Sequence, residues 1–276
     1  VSAPGAEGIT ELNIIIIGAH PDDCEYRCAG TAAKWAAGGH AVKFVSMTRG
    51  DAGHHEAQSE PLAARRKTES EEAARRLGIA AVENLPHHDG LLEPSLEARE
   101  KVIRLIRQWR ADVVVTHRPN DYHPDHRYTS QLVQDSAYLV LVPLVCPDTP
   151  PLRRNPVYLY MEDEFRKPYP FQPDCAVSID DVWSKKIASL DAHVSQFYEW
   201  LPWVDGRLDQ VPGEAGARRA WLDRQMRRVL PPAVASALVR RYGAEAAAPL
   251  QHAEAYELCE YGRQPSPEEL ERLLPR

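Results

Sequence analysis

The run Ile14-Ile15-Ile16-Ile17-Gly18 leaves this chain few ways to fold. β-Branched side chains favour extended backbone. Four in succession, with no polar alternation, call for a strand covered on both faces, as in a parallel sheet between two layers of helices. In such sheets ligands gather beyond the carboxyl ends of the strands. Directly after Gly18 comes Ala19-His20-Pro21-Asp22-Asp23-Cys24-Glu25, a cluster suited to metals and protons. Whatever completes that cluster has to come from elsewhere in the chain.

The segments that follow read as strand, helix, strand. From Asp23 to about Ala37, residues Cys24, Cys28, Thr31, Ala32 and Trp35 recur at helical spacing, and Gly38-Gly39 ends the run. Asp22 or Asp23 is expected to cap this helix by accepting from free first-turn N–H groups. Residues 41–47 form a second strand, parallel to the first through a right-handed crossover. A polar loop at 48–57 leaves its carboxyl end. Next come a charged helix at 59–77, a short strand at 81–85, an amphipathic helix at 95–109 and a fourth strand at 112–116. That strand empties into His117–His126, and a helix runs on to about Leu141.

The Pro-rich stretch 143–156 marks a change of character. Strands are expected at 157–160 and 175–179 and a helix at 181–199. The segment 201–250 is helical with breaks at Pro212-Gly213 and Pro231-Pro232, and 252–260 is ambiguous. Ser266-Pro267-Glu268-Glu269 opens a closing helix with a capping box. The fold class is therefore α/β: a Rossmann-like, mostly parallel sheet with helices on both faces, plus a C-terminal helical appendage. Residues 1–142 are expected to form the catalytic core, with 1–10 as a loose lead-in. Residues 143–276 supply the remaining strands and the pocket and lid elements of the same domain. Within them, 214–245 is expected to serve as a lid or a homo-oligomer contact.

Composition narrows the function. Hydrophobic residues make up 43% of 276, enough for a full core. A net charge of -7 offers no basic surface for nucleic acid or anionic membrane. No run approaches the ~20 apolar residues of a membrane helix, and Val1–Gly5 lacks the charged and apolar regions of a secretory leader. Five cysteines without CxxC spacing argue against a disulfide scaffold and for a reducing, cytoplasmic setting. Cys24 and Cys28, four apart, make only a weak metal pair.

Two clusters carry the chemistry. In His20-Pro21-Asp22-Asp23, a His and a carboxylate three residues apart at a strand end can face one point; read alone, the Asp pair also fits a helix cap beside a chance His. The second is His123-Pro124-Asp125-His126, after the fourth strand. Together they bring three His and three Asp to one end of one sheet. They reach a common ion only if strands one and four are neighbours, as at the point where strand order reverses in a doubly wound sheet. His and Asp without Cys suit Zn2+, or Fe2+. Three protein ligands and one open position fit metal-assisted hydrolysis of an amide or ester. A remaining Asp can act as general base, and a free His can stabilise the oxyanion.

Ala19-His20-Pro21-Asp22-Asp23-x-Glu25 and His123-Pro124-Asp125-His126 together resemble the LmbE-like, or PIG-L-like, zinc-dependent N-deacetylases. Thr48-Arg49-Gly50-Asp51, Arg66-x-x-Glu69, Leu77-Gly78-Ile79, Asp89-Gly90, His193-Val194-Ser195-Gln196 and Ala253-Glu254-Ala255-Tyr256 are similar to further, less specific motifs of that family. The resemblance implies zinc ligands His20, Asp23 and His126. It implies Asp22 as general base, His123 at the oxyanion or leaving amine, and Asp125 orienting a catalytic His. Arg66 and Asp89, and more weakly Arg49, would grip sugar hydroxyls. The implied activity is hydrolytic removal of an N-acyl group, in the first place acetyl, from an amino-sugar-like small molecule such as an N-acetylglucosamine conjugate. An amidase acting on a thiol conjugate, antibiotic or other non-sugar N-acyl compound is the alternative. A nucleotide-binding module fits poorly, because Gly18-Ala19-His20-Pro21 has no GxGxxG and sets Pro and two Asp where phosphate needs N–H donors. His54, His55, Tyr122 and the cluster Tyr198, Trp200, Trp203 receive no assigned role. The rings fill core or stack on a sugar or acyl chain.

Overall fold

A computed structural model describes residues 11–276; the lead-in expected at 1–10 lies outside them. The elements run β1 (Asn13–Gly18), α1 (Asp23–Ala37), β2 (Ala41–Thr48), α2 (Ser59–Leu77), β3 (Ala81–His87), α3 (Leu96–Trp109), β4 (Val113–Thr116) and α4 (Pro124–Leu139). Then follow β5 (Val157–Met161), β6 (Cys175–Ser178), α5 (Trp183–Ala192), α6 (Leu201–Val204), α7 (Ala215–Met226), α8 (Pro232–Tyr242), α9 (Ala244–Ala247), β7 (Ala253–Leu258) and α10 (Pro267–Leu273). One sheet holds these strands in the order β3-β2-β1-β4-β5-β7-β6. The first five positions are parallel, and β7 pairs antiparallel with β5 and β6.

The isoleucine run does what its composition demands. Ile14 and Ile16 face a core that includes Cys28, Ala32 and Trp35 of α1. Ile15 and Ile17 face the opposite core, with Val102, Ile103 and Ile106 of α3 and Leu132 of α4. All four are fully buried, which contributes at most roughly 1.5–3 kcal/mol each. β1 pairs with β2 on one side and β4 on the other. The connection order therefore reverses between β1 and β4, and the loops leaving those two strands diverge to open a crevice. The required contact between strands one and four is present.

Several local expectations need correction. The helix expected over 181–199 is interrupted. A 3-10 turn at Asp180–Val182 leads into α5, the chain breaks at His193, and Ser195–Trp200 is a π-helix. Periodicity could not find it, because a π turn shifts side chains off the 3.6-residue repeat. Neither Asp22 nor Asp23 caps α1: no side-chain cap bond forms at Asp22, and Asp23 turns back to accept from the N–H groups of Ala19 and His20. Ser266 does cap α10 by accepting from the Glu269 N–H. The reciprocal half of the box is missing because the Glu269 carboxylate pairs with Arg154 and Arg263. Cys24 and Cys28 are buried in the core, with burial raising both thiols above their usual range, so they are not a metal pair. Among the described residues no helix is long and apolar enough to cross a membrane.

The ambiguous segment 252–260 is β7, an inner strand of the sheet. Its charged Glu254 is buried but fully partnered. The carboxylate accepts from Gly30 N–H at 3.0 Å, Thr31 N–H at 2.7 Å, Thr31 Oγ1 at 2.7 Å and Lys186 Nζ at 2.7 Å. Lys186 Nζ also donates to the Tyr26 carbonyl at 2.7 Å. This ion pair locks α1, whose first turn carries Asp23, onto β7 and α5. Removing one partner of a buried pair strands the other charge, at a cost of about 3–5 kcal/mol. Glu254→Ala is therefore expected to lose about that much in urea unfolding, and a change within experimental error would contradict this reading.

Candidate active site

The crevice between β1 and β4 gathers the two clusters. Gly18 makes the approach possible: a Cβ there would lie 2.7 Å from the Cβ of Asp23, so only glycine lets Asp23 fold under the strand end. Asp22 follows with φ 151°, a region that costs a non-glycine residue roughly 1–3 kcal/mol. Arg66 over-determines this turn. Its guanidinium donates to the carbonyls of Pro21 at 2.9 Å and Gly50 at 3.1 Å and lies 3.3 Å from Asp22 Oδ1. Gly50 has φ +65°, and a Cβ there would meet this guanidinium at 2.5 Å.

Three donor groups converge. His20 Nδ1 lies 3.2 Å from His126 Nε2 and 3.6 Å from Asp23 Oδ2. His126 Nε2 lies 3.5 Å from Asp23 Oδ1. Donors about 2.0–2.1 Å from a tetrahedral zinc ion stand about 3.3–3.4 Å from one another; the His20–His126 edge matches that spacing, and Asp23 turns a different oxygen toward each imidazole. Donor sets within 4.8 Å overlap here: His20, His123, His126; His20, Asp89, His123, Asp125; and Asp23, His117, His126. Hydrogen bonding separates their roles. The other nitrogen of His20, Nε2, is held 3.2 Å from Asp125 and 3.1 Å from Asp89. The other nitrogen of His126, Nδ1, lies 3.1 Å from Asp121. Carboxylates on the far nitrogen are the usual means of fixing a ligating imidazole. His117 stacks on His126 at 4.2 Å, but its Nε2 already meets the Ala19 N–H and Asp23 Oδ2, each at 3.2 Å.

Charge follows position. Burial opposes ionisation of Asp23, yet His126 and His117 hold its carboxyl well below the usual range. Burial pushes Asp22 up to about 6 against the pull of Arg66. His123 is half-buried, and burial together with His20 and His126 lowers its pKa. The His123 Nδ1 accepts from the Asp125 N–H at 3.2 Å, so the neutral ring carries its proton on Nε2.

Of the residues singled out in the sequence, His20, Asp22, Asp23, Arg66, Asp89, His123 and His126 line one cavity of about 840 Å³. Asp125 lies behind it, fully buried, and its carboxylate reaches His20 and the Gly90 N–H rather than His123. Arg49 does not line the cavity. It pairs with Asp51 at 3.0 Å and Glu60 at 2.6 Å, because the loop after β2 turns it outward. His54 latches that loop to the π-helix and His55 latches it to α6: His54 Nε2 meets Glu199 at 2.9 Å, and His55 stacks on Trp203 at 5.2 Å. The aromatic cluster divides. Tyr198 packs in a core with Trp221, while Trp200 lines the cavity and stacks on Trp203.

Sequence reasoning passed over Asp121 and gave no role to His117, one of several strand-end residues open to line the pocket, or to Gln196, quoted only within a late motif. Asp121 had a legible signal, a carboxylate five residues before His126 in the same loop. Gln196 reaches the cavity from the π-helix, which left no periodic trace.

Known proteins resemble this chain in sequence and in fold. Residues 15–137 match the family model described as PIG-L: GlcNAc-PI de-N-acetylase. A diacetylchitobiose deacetylase of Thermococcus kodakarensis is 27% identical over 201 residues, 69% of this chain and 73% of the relative. A 4-oxalmesaconate hydratase of Pseudomonas putida is 24% identical over 198 residues, 69% of this chain and 76% of the relative. Among solved structures, the N,N'-diacetylchitobiose deacetylase of Pyrococcus horikoshii superposes with a TM-score of 0.67 at 24% identity, covering 90% of this chain and 84% of that one.

Proposed function

Given that residues 15–137 form a PIG-L (LmbE-like) family domain, we propose that the chain is a metal-dependent hydrolase that removes an N-acyl group from an amino-sugar-like small molecule. The observation that carries this reading is the convergence of His20, Asp23 and His126, whose imidazoles lie 3.2 Å apart and 3.6 and 3.5 Å from the two oxygens of Asp23, beside Asp22 and His123 in one cavity. His20, Asp23 and His126 would hold the cation, zinc first and ferrous iron second by donor type. When bound, such a cation lowers the pKa of water from about 15.7 toward 7 and polarises a carbonyl.

The chain's own groups do the rest. Asp22 takes a proton from the attacking water, and burial raises its carboxyl in the direction a general base needs. His123 donates a hydrogen bond from Nε2 to the developing oxyanion, and the proton taken up by Asp22 passes to the leaving amine as the C–N bond breaks. Asp89 and Asp125 keep His20 oriented, and Asp121 does so for His126. Arg66 braces the strained turn at Asp22. Asp89, which also accepts from the Gly53 N–H at 3.2 Å, presents carboxylate to a sugar hydroxyl. Residues from 143 onward supply pocket wall and lid.

A hydratase resembling the Pseudomonas putida relative would also begin with a base and a water. Acidic groups crowd the inner cavity, however: Asp22, Asp23, Asp89 and Asp121. Arg66 is already engaged by Pro21, Gly50 and Asp22. That surround favours a neutral N-acyl sugar over a carboxylate substrate such as the one in the hydratase's name. The test is acetate release from N,N'-diacetylchitobiose with zinc or ferrous iron supplied. Acetate is expected; no acetate with either metal, alongside hydration of an enoate, would replace this reading.

A further inference from the structure

The cavity has two unlike arms, one polar and one apolar. Toward β2 and β3 the wall is polar, with Asp89, Gly53, Arg66 and Gln196, and Trp200 sets its indole nitrogen beside Gly53. Toward β5 and α7 the wall is apolar: Met161, Phe165, Phe197, Trp221, Leu222 and Met226. Of the charges on that side, Glu162 pairs with Arg228 at 2.6 Å and Asp163 with Arg118 at 2.8 Å, while Arg27 also lines the cavity. Tyr122 joins this arm to the catalytic cluster, its ring 5.7 Å from His123, 5.8 Å from His126 and 6.1 Å from Phe165. All six apolar residues lie outside the 15–137 family match.

An amide at the centre divides its substrate into an amine part and an acyl part. If the polar arm takes the sugar amine, the apolar arm faces the acyl group. Resting on the hydrolase reading above, we propose that the preferred substrate carries an acyl group longer than acetyl, a medium-chain fatty acyl amide of an amino sugar. Water adds to the amide carbonyl, the C–N bond breaks, and the fatty acid and the free amine leave. A cavity of about 840 Å³ sits at the large end of the ~300–1,000 Å³ usual for small-molecule sites, more than an acetyl group fills.

The experiment compares N-acetyl-, N-butyryl- and N-octanoylglucosamine with octyl N-acetylglucosaminide on the metal-loaded full chain, reading binding by calorimetry and turnover by released amine. Each methylene taken into the apolar arm is worth about fourfold, the equivalent of about 0.8 kcal/mol. The N-butyryl and N-octanoyl compounds are expected to bind and turn over progressively better than the N-acetyl one. Phe165→Ala and Met226→Ala, both at half-buried positions, are expected to lower the octanoyl-to-acetyl ratio, which a general folding defect would leave unchanged. Equal handling of all acyl lengths overturns the proposal while leaving the hydrolase intact. A gain from the octyl glycoside alone also overturns it, by assigning the arm to the aglycone. Tighter binding with acyl length but no turnover of any compound supports the arm and removes the hydrolase reading.

Discussion

Asp22→Asn is expected to bind its metal as the wild type does and to lose a factor of roughly 10²–10⁴ in kcat, the range of a positioned general base. The substitution keeps size and hydrogen-bonding capacity but removes the proton acceptor. Metal content should survive because the triangle of His20, Asp23 and His126 does not include Asp22. The Asn also keeps the shape of the side chain already accommodated at φ 151°. Metal analysis and acetate release on the same sample check both halves. Retained turnover would contradict the base assignment, and lost metal would place Asp22 among the ligands.

His126→Ala is expected to abolish both metal retention and activity. It removes one vertex of the triangle and leaves the Asp23 carboxylate without the imidazole that most strongly holds its pKa down. Asp121→Asn should be milder, weakening metal affinity by about 10–100-fold, the usual cost of losing an outer partner of a ligating His. The order wild type, Asp121→Asn, His126→Ala in zinc affinity is the diagnostic result. Equal affinity for all three would place the cation elsewhere in the overlapping donor sets.

Much of this was legible in the residues because the determinants are local. Ile14–Ile17 fixed a doubly covered strand, and Gly18 followed by His20 and Asp23 marked its functional end. The pairing of β1 with β4 was a requirement that topology met, since the only signal for it was that two donor clusters needed each other. The misses have a common cause. Asp22 and Asp23 read as caps from sequence, yet Asp23 turns back under the strand, a tertiary choice that Gly18 permits but does not announce. Residues 252–260 stayed ambiguous in sequence; as β7 they bury Glu254, whose charge is met by α1 and Lys186, more than sixty residues away. The π-helix at Ser195–Trp200 shifted the side-chain period and hid Gln196 and Trp200 from any helical count. Arg49 had the right neighbours in sequence and the wrong direction in space.

The central claim is that a cation held by His20, Asp23 and His126 is required for amide hydrolysis. The most direct measurement strips the metal with a chelator, returns zinc in stoichiometric steps and follows acetate release from N,N'-diacetylchitobiose by wild type and His126→Ala. Activity that vanishes on stripping, returns in wild type at one zinc per chain and never returns in His126→Ala is the predicted result. A stripped wild-type chain that hydrolyses at its original rate would contradict it.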